Sequence, residues 1–108
     1  MGVEPMRPSF ERQLAAFEAS YRELLLSALQ ACASGRWGLF GSYERLGLRD
    51  PSREELLELG TTIERLRRKC GLESFPLHER LLHMGSSRRS NTPGEPKLAQ
   101  QWLDELQS

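Results

Sequence analysis

Residues 9–35 read SFERQLAAFEASYRELLLSALQACASG, and this stretch decides the fold class. Phe10, Leu14, Phe17, Tyr21, Leu24, Ala28 and Cys32 recur at steps of three or four. At 100° per residue they gather into a stripe about 80° wide, which predicts an amphipathic helix facing a core. Both ends are marked: Ser9, after Pro8, suits an N-cap, and Gly35 suits the left-handed position that follows a helix. Leu29 lies at the margin of the stripe and Leu26 well outside it, so the helix is expected to touch more than one neighbour, a second chain among the candidates.

Moving outward, Asp50-Pro51 opens a second helix over 50–70, with Asp as N-cap and Pro at the first helical position. Glu54 and Glu55 stand near its positive end, and Arg67, Arg68 and Lys69 near its negative end, before Gly71. Leu56, Leu59, Ile63, Leu66 and Cys70 form its apolar face. Gly60 costs about 1 kcal/mol against Ala inside a helix; with Leu57 beside it, off the main stripe, it points to a second close contact. A short helix follows at about 76–84, entered at Ser74 or Phe75 and ended by Gly85, with Leu77, Leu81 and Leu82 apolar. A last helix at about 96–107 places Leu98, Trp102 and Leu106 on one side, Trp102 being the residue expected to dock it. The fold class is therefore all-α, a small bundle of three main helices (9–34, 50–70, 96–107) with one short helix. Residues 1–8 read as a flexible tail, 9–108 as one helical domain, and 86–96 as a polar loop rich in Ser, Pro and Gly.

Fifteen basic and fifteen acidic residues cancel, so net charge gives no reason to expect nucleic acid or an anionic membrane. Apolar runs such as Leu24-Leu25-Leu26 fall far short of the about 20 residues that span a bilayer, and the first residues lack the apolar stretch of a signal peptide. The expected compartment is the cytoplasm. Cys32 and Cys70 each fall on an apolar face near a helix end, where a thiol packs as a small hydrophobe.

Chemistry-bearing patterns are few. His78-Glu79 followed by His83 resembles the zinc-protease motif, but the spacing is five instead of four. Five residues turn a helix by about 500°, leaving the imidazoles about 140° apart and unable to share one ion. No metal and no cofactor is expected. Gly35, Gly38 and Gly41 lack the Gly-Lys-Ser/Thr and the strand that phosphate loops require. Trp37, Phe40 and Gly41 match the start of a tetratricopeptide unit, but its later small-residue and proline positions fall on Arg53 and Arg65, which rules it out. Nothing ties either histidine to a nucleophile, so no catalytic residue is assigned and an enzyme is not expected.

Three surface features remain. Leu26, Leu29, Leu57 and Gly60 are the candidate partner interface, with a homodimer through helix one as its simplest form. Arg36, Trp37, Phe40 and Tyr43 make a candidate aromatic patch, otherwise a plug between helices. Arg65, Arg68 and Lys69 on helix two, with Arg88 and Arg89 in the polar loop, are candidate anion or nucleic-acid contacts; Glu64, three and four residues before Arg67 and Arg68, instead suggests ordinary pairing on a helix surface. The function expected is a helical protein-interaction or regulatory module. The alternatives are a nucleic-acid-associated regulator and a ligand-binding protein or enzyme combining the Trp37 loop with a histidine.

Overall fold

The computed structural model describes residues 6–35, 39, 51–86 and 95–108. Four helices occur among them: α1 (Met6–Ala33), α2 (Ser52–Lys69), α3 (Pro76–Ser86) and α4 (Glu95–Gln107). The fold is all-α, with three longer helices and one short one. α1 is the central element, packed against both α2 and α4.

α1 starts one turn earlier than Ser9 predicts, so residues 6–8, expected in a flexible tail, are helical. Pro8 is tolerated because the first-turn N–H groups have no partner inside a helix. Gly35 takes the left-handed conformation (φ 81) and donates to the Cys32 carbonyl, as its position suggests. At the other junction Pro51 already has helical dihedrals (φ −60, ψ −24), consistent with its assignment to the first helical position, while Asp50 lies outside the described residues. α2 ends in a Schellman motif. Gly71 (φ 74) donates to the Arg68 carbonyl and Leu72 to the Arg67 carbonyl, satisfying the last turn. α3 continues through Gly85 to Ser86, and α4 begins at Glu95.

The core joins Leu14, Tyr21, Leu25, Leu29 and Cys32 of α1 to Leu56 and Ile63 of α2, to Phe75 and Leu81, and to Ala99, Trp102 and Leu103 of α4. The buried face of α1 is rotated by about 40° from the predicted stripe. Leu25 and Leu29 are fully buried, whereas Phe17 and Leu24 are half-buried. The reason is α4. Arg22, which shares a helix side with Leu26 and Leu29, donates through Nη2 to the Leu106 carbonyl at 2.8 Å. The second neighbour that those two leucines call for is thus the chain's own last helix. Trp102, 1% exposed, docks α4; the guanidinium of Arg80 on α3 lies over its ring at 4.8 Å and reaches Glu105 at 2.6 Å. Leu39, between α1 and α2, is buried, and its carbonyl accepts from Arg53 Nε.

Candidate functional site

Two places combine chemistry with a defined geometry. The first is inside the fold, where α1, α2 and α3 meet. Gly60 leaves a gap on α2 into which the His78 ring fits: a Cβ at position 60 would stand 2.1 Å from Nδ1. The second close contact foreseen at Gly60 exists, and α3 makes it. Tyr21, fully buried, shares a 2.9 Å hydrogen bond with His78 Nδ1; with the imidazole neutral in its Nε2–H form, the phenol donates. Phe75 stacks edge-on against Tyr21, with centroids 5.2 Å apart.

Electrostatics follow from burial. Taking Tyr21 out of water pushes its pKa up, and the Glu64 carboxylate adds to the effect, so the phenol stays protonated. Burial holds His78 below its ordinary value, partly offset by the same carboxylate. Glu64 does not take up the helix-surface pairing expected of it. Its Oε2 accepts the Phe75 N–H at 3.1 Å, capping α3 from a neighbouring helix. Arg67 in turn donates to Glu18 Oε2 at 2.6 Å and to the Glu73 carbonyl at 2.6 Å, and covers the Phe75 ring. A local pairing is replaced by two longer-range ones.

The second place is the outer face of α2. Arg65, Arg68 and Lys69 are exposed there, and no ion pair or side-chain hydrogen bond holds them among the described residues. A groove of about 380 Å³ runs between this face and α3, bounded by Thr61, Arg65, Arg68, His78, Glu79 and Leu82. Leu82 is 49% exposed beside it. Electrostatically the groove is mixed. Its arginines face outward, while its carboxylates are engaged, Glu79 by the Ser74 hydroxyl and Glu64 by the Phe75 N–H.

Of the candidate partner interface, Leu29 and Gly60 are buried within the chain and are withdrawn; Leu26 and Leu57 are half-buried, Leu26 against the core. Arg36, Trp37, Phe40, Tyr43, Arg88 and Arg89 lie outside the described residues. His78 is buried and His83 exposed, so the two face different surroundings. Among the described residues no three His, Cys, Asp or Glu side chains gather as a metal site would need, and no helix is long and apolar enough to cross a membrane. Cys32 is buried and Cys70 half-buried, both as free thiols. The Tyr21–His78–Gly60 node escaped the sequence reading, although Gly60 itself signalled a close approach.

Comparison with protein families, with curated proteins and with solved structures finds no match.

Proposed function

We propose that this chain is a protein-interaction module without catalytic activity, acting through the outer face of α2 and its groove with α3. One contrast carries the reading. The groups suited to proton transfer, Tyr21 and His78, are bonded to each other inside the fold, whereas among the described residues Arg65, Arg68 and Lys69 project without an ion pair, the two arginines lining one groove with an exposed Leu82. Arginine is among the side chains enriched at binding hot spots. Arg65 and Arg68 supply charge recognition and Leu82 an apolar anchor. The protein reading is preferred to a nucleic-acid one because the groove also presents carboxylates, which repel phosphate.

Chemical cross-linking in extract of the source cell tests it, comparing wild type with Arg65→Glu/Arg68→Glu. The wild type should join a discrete set of proteins that the variant loses while its helical circular dichroism is kept. Identical sets, or none, would refute the reading. Capture of nucleic acid, with affinity falling steeply as salt rises, would replace it with the phosphate-binding alternative.

A further inference from the structure

We propose that the cleft between α1 and α2 is a second docking surface, and that its occupant is a basic amphipathic segment of another protein. The cleft lies on the α1 side of α2, away from the groove with α3, and stands independently of it.

Its volume is about 290 Å³, and it is open to solvent. α1 contributes Ser20, Glu23, Leu24 and Ser27, and α2 contributes Glu55 and Leu59. Ser20 and Ser27 are seven residues apart, so the α1 wall runs for about 10 Å, or two helical turns. Leu24 and Leu59, half-buried and packed on the core, give the cleft its apolar surface. Small-molecule sites enclose most of their ligand; an open cleft between two helices suits a peptide segment that passes across it.

Charge selects the segment. Among the described residues the only charges lining the cleft are Glu23 and Glu55, one from each helix and both exposed. Neither has an ion pair or a side-chain hydrogen bond among those residues. Their neighbours at three and four residues along the same helix are Ala19, Ser20, Leu26 and Ser27 for Glu23, and Pro51, Ser52, Glu58 and Leu59 for Glu55. None is basic, so no cation sits at helical pairing distance. Arg22 and Arg53, close by in sequence, donate elsewhere, to the Leu106 and Leu39 carbonyls. The dipole of α2 accounts for an acidic residue in its first turn, where Glu55 stands, but Glu23 lies in the middle of α1, beyond that influence.

The α3-side groove mixes arginines with engaged carboxylates, whereas this cleft carries one sign of charge over an apolar surface. A segment with arginine or lysine beside a large apolar side chain meets both features: its cations offset Glu23 and Glu55, and its apolar group covers Leu24 and Leu59. Exposed ion pairs are individually weak and screened by salt, so the complex is reversible and weakens as ionic strength rises.

The test is a titration of the full chain, followed by amide chemical shifts, with an amphipathic peptide bearing arginine and leucine on one helical face, and with its counterpart bearing glutamate for arginine. The arginine peptide should bind saturably and move the resonances of residues 20–27 and 55–59, while the glutamate peptide should not. Glu23→Lys/Glu55→Lys should weaken binding at least about tenfold, with its helical circular dichroism retained. Arg65→Glu/Arg68→Glu, on the other side of α2, should leave it unchanged, which separates this surface from the one tested by cross-linking. No binding, binding indifferent to the Glu23 and Glu55 reversals, or shifts confined to other surfaces would overturn the proposal. So would self-association of the wild type that the same reversals abolish, since the occupant would then be a second copy of this chain.

Discussion

Gly60 and His78 fit closely at the residue level, since a methyl at position 60 would overlap three ring atoms within 2.5 Å. Ala is the better helix former by about 1 kcal/mol. Overpacking costs about 1–3 kcal/mol, and the ring cannot swing away without losing Tyr21. Gly60→Ala should therefore destabilise the protein in urea denaturation despite its propensity gain. In a His78→Ala background the same change should become neutral or stabilising, and a cost that persists there would place the strain elsewhere. Tyr21→Phe isolates the hydrogen bond. It leaves the buried Nδ1 without its partner, so a loss of about 1–3 kcal/mol is expected, with the helical spectrum retained; an unchanged denaturation midpoint would show that water or another group replaces the phenol.

At the scale of elements, α3 is held by its neighbours more than by its own sequence. Glu64 caps it, Arg67 braces the chain before it and His78 plugs it into α1 and α2. This makes its docking sensitive to acid. The unfolded chain protonates His78 near 6.5, and burial lowers the value in the fold. Between the two the unfolded state binds more protons, so stability is complete above about 6.5 and declines as pH falls towards the folded value. Urea midpoints measured from about pH 8 to about pH 5 should fall more steeply for wild type than for His78→Gln, which cannot take up the proton. Parallel slopes would remove His78 as the cause. Arg67→Ala should cost about 1–3 kcal/mol, since it strands Glu18 and uncovers Phe75 while both partners of the ion pair are largely shielded from solvent. Local rules could not have found these ties. Glu64 and Arg67 look like partners along one helix, and only the position of Phe75 and Glu18 shows that each has a better one.

Across the whole molecule, periodicity and punctuation made the helices legible: Gly35, Pro51 and Gly71 stand at the predicted junctions, and Cys32 and Trp102 are buried as their spacing implies. What a linear pattern does not carry is the direction from which a second helix arrives. That is why the buried side of α1 is displaced towards Leu25 and Leu29, on the side where Arg22 meets α4. The basic residues at the end of α2 were legible one by one, but the exposure of Arg65, Arg68 and Lys69, without an ion pair among the described residues, emerges only in the assembled fold. The hold of α4 on that fold is measurable. Trp102 is the largest fully buried side chain among the described residues, and it is flanked by Ala99 and Leu103, which are too small to fill its space. Truncating a buried tryptophan to alanine costs about 3–5 kcal/mol, set against about 5–15 kcal/mol for the whole stability of a typical domain. The exposed Arg80–Glu105 pair at the same junction adds little, because water and salt screen it. Trp102→Ala should therefore bring the protein close to unfolding at room temperature, with a large drop in urea midpoint and a loss of helical signal. Arg80→Ala should lose the cation over the ring and the exposed pair with Glu105, and shift the midpoint only slightly. Comparable losses in both variants would mean that α4 is held at its polar edge instead of through its buried indole.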